Sequence, residues 1–284
     1  MRRTVTVAVV SLATSIALTL PATAVTGNYE RDFVHTGVGL LVVYDDDGEF
    51  AGRCSGTLLT TTVFLTAGHC TDGAADARVY FEQDAGVNFD PELGVDPVSG
   101  YPEWGGVEAA EVHTMPGYDD FASFPETRDV GVVILAETVE DVLYGALLDP
   151  GSLDRLAARS GKKDVSFTVS GYGVNWINPV QITSLRERMM ATATLTNLTN
   201  NLTDGYNLAH SGDPGKGKGG TCFGDSGGPV FLAGTNVIAG VTSFGLSAQT
   251  CTGPGFAYRT DQQVVHDWVS SLVPDDQELE VVHR

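Results

Sequence analysis

Apolar residues along the chain come in short bursts rather than with a helical period. Runs rich in Val, Ile, Leu, Phe and Thr occupy Val38–Tyr44, Ser55–Leu59, Val63–Thr66, Val130–Leu135, Ser166–Val169, Val230–Leu232 and Val237–Ser243. Bursts of this length between turn residues predict strands. Their spacing and the glycine-rich turns predict an all-β barrel or sandwich. One helix is predicted near the end, where Val264, Val265, Trp268, Val269 and Leu272 share a face behind Thr260-Asp261 as a cap. The acidic tail from Pro274 carries no such pattern and is expected to fray. Between Glu82 and Thr127 the chain is dense in Asp, Glu, Gly and Pro, which predicts long surface loops around one strand near Ala110–His113.

The first 24 residues follow a different rule. Arg2 and Arg3 precede an uncharged apolar run from Val5 to Leu20, then Pro21 and the small triplet Ala22-Thr23-Ala24. This is the pattern of a secretory signal peptide cleaved after Ala24. The run is short for a bilayer span, and no basic flank follows it. The expected mature chain is 25–284, secreted, extracellular and free of the membrane after cleavage. In an oxidising compartment the four cysteines are expected to form disulfides. Four cysteines allow three pairings. Sequence separation suggests Cys54 with Cys70 and Cys222 with Cys251, each closing a local loop, and spacing alone leaves the other pairings open.

Charge narrows the partners. With 16 Lys+Arg against 36 Asp+Glu the net charge is −20, which disfavours nucleic acid and anionic membrane surfaces. The Lys162-Lys163 and Lys216/Lys218 pairs are too isolated to make a basic stripe. No metal or cofactor is expected. The histidines are scattered, and the acids after Asp72, including Glu82, Asp84 and Asp90, match no recognised calcium cage and read as solvated charge. Asn197-Leu-Thr199 and Asn201-Leu-Thr203 are formal glycosylation acceptors.

Three local patterns carry chemistry. In Leu65-Thr66-Ala67-Gly68-His69-Cys70 an apolar strand runs through small residues into a histidine beside a cysteine, so a bridged Cys70 would pin the imidazole in one rotamer, as a general base requires. In Thr127-Arg128-Asp129 an acid leads directly into the apolar run Val130–Leu135; a carboxylate buried there needs a donor, and an imidazole N–H is one. In Gly220-Thr221-Cys222-Phe223-Gly224-Asp225-Ser226-Gly227-Gly228-Pro229 a serine sits among glycines that permit a sharp turn. Such a turn exposes the hydroxyl and aims the N–H groups of Gly224 and Ser226 at one point, an oxyanion hole. Asp119 and Asp120 rival Asp129, but only Asp129 opens an apolar strand.

Taken together and in order, Cys54-Ser-Gly-Thr-Leu-Leu, Thr66-Ala-Gly-His-Cys70, Asp129, Gly171-Tyr-Gly173, Gly224-Asp-Ser-Gly-Gly-Pro229 and Ser243-Phe-Gly245 resemble the successive motifs of chymotrypsin/trypsin-like serine proteases. The segments around His69, Ser226 and Phe256-Ala-Tyr-Arg-Thr260 are most similar to the secreted bacterial branch. The resemblance implies two six-stranded antiparallel β-barrels with a C-terminal α-helix. Barrel 1 is then expected over about 25–145, barrel 2 over about 146–260, the helix at about 261–273 and the tail at 274–284. It implies a monomeric endopeptidase acting on protein or peptide substrates, with Ser226 as nucleophile, His69 as general base and then acid, and Asp129 orienting the imidazole. It also implies that Cys54–Cys70 braces the base and Cys222–Cys251 the specificity pocket. In this family the residue six before the nucleophile lines the pocket base. Here it is Gly220 rather than an acid, so Arg/Lys preference is not expected. With Thr221, Ser243, Phe244, Gly245 and Gly255 it implies an open, uncharged pocket for a bulky apolar side chain. A rival reading has Lys216 or Lys218 reach in and select an acidic side chain. Family members are commonly activated by a new N-terminus pairing with the Asp before the serine, here Asp225, and the chain offers Val25-Thr26-Gly27-Asn28 at the cleavage site itself. Two other readings remain. Gly224-Asp-Ser-Gly-Gly228 also fits the nucleophile elbow of an α/β-hydrolase esterase, although the histidine and acid precede the serine, the reverse of that fold's order. An inactive relative that keeps the fold for binding is the other.

Overall fold

The computed structural model describes residues 25–85, 106–161, 164–177, 182–184, 186–212, 216–246, 251 and 253–284. The leader expected over 1–24, Asp90 and the Lys162-Lys163 pair lie outside them. Two short strands, β1 (Thr26–Gly27) and β2 (Tyr29–Arg31), open the chain. Strands β3 (Val38–Tyr44), β4 (Phe50–Leu58), β5 (Val63–Thr66), β6 (Asp76–Tyr80), β7 (Val107–Thr114) and β8 (Gly131–Leu135) close a barrel in the order β3-β4-β5-β8-β7-β6. A helical turn, α1 (Gly68–Thr71), follows β5. All pairings of this barrel are antiparallel.

Strand β9 (Ala146–Leu148) and helix α2 (Ser152–Ser160) lead into the second half. There follow β10 (Ser166–Gly171), β11 (Val174–Ile177), β12 (Ile182–Ser184), β13 (Met189–Asn197), β14 (Asn207–Ser211), β15 (Gly219–Gly220), β16 (Pro229–Leu232), β17 (Val237–Gly245) and β18 (Pro254–Arg259), then α3 (Gln263–Ser270) and β19 (Val281–Val282). The ring β10-β13-β14-β18-β17-β16 closes antiparallel into a second six-stranded barrel. Strand β2 adds to β13, while β9 and β19 extend β17 in parallel. The expected pair of antiparallel barrels with a C-terminal helix is the observed fold.

Most of the apolar bursts became strands because both of their faces are covered. Val38 through Val43 are all buried, one set inside the barrel and the other beneath neighbouring segments. Where small or polar residues alternate with apolar ones, the burst disappears from the sequence although the strand does not. β13 buries Met189, Ala191, Ala193 and Leu195 between threonines, and β14 buries Asn207 and His210 outright.

Three expectations at the C-terminal side are corrected. Thr260-Asp261 does not cap α3, whose N-terminus has no side-chain cap. The Thr260 hydroxyl donates to the Ile238 carbonyl, and the Asp261 carboxylate pairs with buried Arg259 and accepts the Leu153 N–H at 2.9 Å. Asp261 thus caps α2, a second helix that sequence periodicity does not reveal because only Leu153, Leu156 and Ala157 face its core. Within α3, Val265 and Val269 are buried but Val264 is exposed. The tail does not fray. Gln277 hydrogen-bonds Thr60 and Thr62 of the first barrel, and Val281 and Val282 pair with Leu147 and Leu148.

Candidate active site

The first barrel delivers a histidine and an acid to one point. Register Thr66↔Gly131 sets the end of β5 beside the start of β8, so the turn after one strand meets the residues before the other. His69, on α1, donates through Nδ1 to Asp129 at 2.9 Å, and its backbone N–H donates to the same carboxylate at 2.8 Å. Asp129 is fully buried and takes a third donor, the Ser243 hydroxyl of β17, at 2.5 Å. The turn is pinned at its other side by the Cys54–Cys70 disulfide to β4. Burial would push the His69 imidazole down, but the hydrogen bond and charge of Asp129, with Asp120 behind, outweigh it and hold His69 above its ordinary value.

Asp119 and Asp120 do not share this arrangement. Asp119 is exposed and accepts from the Ser123 N–H and hydroxyl, whereas Asp120 lies at the cavity rim.

The second barrel supplies the serine from an irregular loop between β15 and β16. Gly224 and Gly227 have φ of 90° and 78°, in the left-handed region. At Gly227 no other residue fits, because a Cβ would lie 2.1 Å from the Thr66 hydroxyl and 2.4 Å from the Ser55 carbonyl. The loop is stitched to β4 by Ser55, whose N–H donates to the Ser226 carbonyl at 2.7 Å and whose hydroxyl donates to the Gly224 carbonyl at 2.8 Å. Neither the Gly224 nor the Ser226 N–H has an acceptor among the described residues. Asp225 is buried, and its carboxylate accepts from the Gly173 and Cys222 N–H groups. Burial pushes it up to about 7, and those donors and the charge of Arg53 offset only part of that.

His69 and Ser226 face a common cavity of about 780 Å³ between the barrels. No hydrogen bond joins the two side chains among the described residues, as is common before substrate arrives. Of the residues expected at the specificity pocket, Thr221, Ser243, Phe244, Gly245 and Gly255 line this cavity. Gly220 is buried behind it, paired with Thr26 of β1. Ser243 turns its hydroxyl to Asp129, so it is engaged with the acid rather than with the pocket. The Cys222–Cys251 disulfide runs along the same wall. Lys216 and Lys218 are not among the lining residues. Cys54, His69 and Cys70 cluster closely enough to suggest a metal, but sulfurs joined in a disulfide are not thiolate ligands.

Sequence reasoning missed an aromatic wall. Phe244 stacks on Phe256 at 4.6 Å and meets Phe121 and Phe124 edge-on, and Phe121 also lies 6.1 Å from the His69 ring. These rings come from three separate loops and strands, so no local motif announces them. The two antiparallel barrels also remove the α/β-hydrolase reading, which needs a parallel sheet flanked by helices.

Comparison with known proteins agrees with this geometry. The family model described as trypsin matches residues 41–269. Chymotrypsin-C of Bos taurus is 26% identical over 244 residues, covering 80% of this chain and 80% of that protein. Among solved structures, HL collagenase at 1.7 Å resolution is similar in fold, with a TM-score of 0.64 and 20% identity over 87% of this chain and 97% of that one.

Proposed function

The chain belongs to the trypsin family and is a serine endopeptidase acting on protein or peptide substrates, and on that premise we propose that Ser226, His69 and Asp129 carry the reaction. The observation that carries this reading is the buried Asp129 carboxylate bonded to the His69 ring at the rim of the cavity that holds Ser226. A serine hydroxyl is a weak nucleophile at neutral pH, so His69 takes its proton as Oγ attacks the scissile carbonyl, and Asp129 stabilises the imidazolium. The carbonyl oxygen gains the negative charge, and the unengaged N–H groups of Gly224 and Ser226 receive it. His69 then gives its proton to the leaving amine as the C–N bond breaks. Water, deprotonated by the same imidazole, releases the acyl group.

The pocket reading favours a bulky apolar residue before the scissile bond. Its lining at Thr221, Phe244, Gly245 and Gly255 holds no charge, and a charged side chain there would lack a partner. The reading with Lys216 or Lys218 selecting an acid has no lining lysine to support it among the described residues.

Secretion and activation belong to one event in this reading. Cleavage after Ala24 frees the Val25 amine; Val25 is buried, and Thr26 pairs with Gly220, five residues before Asp225. An amine arriving beside Asp225 would supply the charge its burial calls for, so signal cleavage itself completes the monomeric enzyme and no inactive precursor accumulates outside the cell. Among the described residues no helix is long and apolar enough to cross a membrane.

Cleavage-site profiling of a peptide library with the secreted protein, Ser226→Ala as control, tests the reading. Cleavage after large apolar residues that vanishes in the variant is the expected result. A fluorophosphonate label that fails to attach to Ser226 would leave a binding protein instead. Intact mass of the active protein is expected to begin at Val25.

A further inference from the structure

Gly224 is free to turn by its own chemistry, yet both peptide planes that meet there are held from outside the serine loop. Its φ of 90° is one that glycine adopts as readily as the mirror conformation. The preceding plane, which carries the Gly224 N–H, is fixed at its carbonyl: the Phe223 oxygen accepts the Val174 N–H of β11 at 2.6 Å, and the N–H of a trans peptide points the opposite way. The following plane is fixed at the Gly224 carbonyl, which accepts the Ser55 hydroxyl at 2.8 Å. A hydroxyl has one proton to give. Ser55 Oγ also receives the Tyr172 N–H at 2.9 Å, so it accepts there and its proton is committed to Gly224. Within the loop the same plane keeps only the bond from the Asp225 N–H to the Cys222 carbonyl, at 3.0 Å. Ser55 is itself fully buried in β4, where it pairs with Leu40 of β3. Its N–H donates to the Ser226 carbonyl at 2.7 Å, and its carbonyl accepts the Thr66 hydroxyl at 2.8 Å where β5 ends. Cys54, one residue earlier, is bridged to Cys70 beside His69. One rigid stretch of strand thus registers the histidine, the serine and the Gly224 peptide against one another.

We propose that Ser55 is a positioning residue for the transition state: its hydroxyl, reaching across from the first barrel, holds the Gly224 peptide with its N–H turned into the cleft. The proposal rests on the endopeptidase reading, in which that unengaged N–H receives the developing oxyanion. Donors stabilise such a charge only if they are aimed before it appears, so something other than the substrate has to fix their direction. Here the Ser55 hydroxyl does so from one side and the Val174 N–H from the other. Removing the hydroxyl spares the main-chain bonds of residue 55, and with them the links to Ser226 and Thr66. What is released is the Gly224 peptide, whose glycine is then free to swing its N–H away. The loss falls on the transition state rather than on ground-state binding.

Wild type and Ser55→Ala, each counted by fluorophosphonate titration of Ser226, are compared on a peptide substrate, a peptidyl trifluoromethyl ketone and the matching secondary alcohol. Ser226 Oγ adds to the ketone carbon, its proton passes to His69, and the former carbonyl oxygen carries the negative charge into the hole; the alcohol fills the same cleft with no oxyanion. In Ser55→Ala kcat is expected to fall about ten- to hundredfold, less than the roughly hundred- to thousandfold cost of deleting a hole donor outright. KM is expected to stay within about twofold, the ketone to lose affinity by the factor that kcat loses, and the alcohol and the acid limb of kcat/KM to stay where they are. Rates are taken per titrated serine, so a partial loss of folded enzyme cancels. Should Ser55→Ala not fold, Ser55→Gly carries the same expectation. A kcat within about twofold of wild type, ketone and alcohol weakened alike, or an acid limb that moves with the rate overturns the proposal while leaving the endopeptidase reading intact. Absence of any wild-type cleavage dependent on Ser226 overturns that reading, and the proposal with it.

Discussion

The two barrels furnish opposite walls of one cleft and treat their buried polar groups in opposite ways. On the first wall the buried acid is fully partnered: Asp129 holds three donors, two of them from His69 and the third the Ser243 hydroxyl. On the second wall two buried groups stand under-compensated, Asp225 pushed up toward neutrality and His210 pushed down with no hydrogen bond. Asp129 and Asp225 are equally buried, so partners decide the difference between the two acids. A complete wall is ready before anything binds. An incomplete one marks where something else arrives, in our reading a new N-terminus at Asp225.

The largest test breaks the complete wall. Asp129→Asn is expected to lower kcat by about four orders of magnitude. In wild type the acid limb of kcat/KM should lie above pH 6.5, because Asp129 raises His69. In the variant the Asp129 charge is gone, burial is opposed only by the more distant Asp120, and the limb should move to lower pH. Next comes His210. Unfolded, its imidazole takes a proton near pH 6.5, and folded only near 4, so stability falls as pH drops through that window. Denaturant unfolding at pH 4 and 7 should show up to about 3 kcal/mol of acid destabilisation that His210→Phe lacks. Third, one alanine inserted before Val25 in the mature protein should displace the amine from Asp225 and cost about a hundredfold in kcat, since small misplacements of a catalytic loop cost that much. Full activity of the extended form, measured with its N-terminus verified by mass, would remove Asp225 from the comparison. Smallest, Ser243→Ala removes one charge-assisted donor from Asp129 and should reduce kcat/KM about tenfold with KM nearly unchanged.

The same contrast explains what could be read in advance. Strands β3 and β5 were legible to the residue because unbroken apolar runs need no context. Strand β14 was not, since a strand that buries Asn207 and His210 looks like a loop until its neighbours are known. The cap of α2 comes from Asp261, 108 residues further along, which no local window contains. The candidate catalytic residues stood out through compact motifs that combine glycine, small residues and one reactive side chain. His210 did not, because its relation to Gly255 exists only through strand register.

The tail strand has a consequence for the availability of its own backbone. An endopeptidase cleft accepts extended, unpaired backbone. Here residues 277–284 are already engaged, with Gln277 on the first barrel, Val281 and Val282 hydrogen-bonded to β9, and Arg284 against Asp149 and Ser152. A segment held as a strand has to be peeled away before it can be threaded elsewhere, and its release would expose Leu147 and Leu148 beneath. The pairing therefore withholds this stretch from any cleft that needs extended, unpaired backbone.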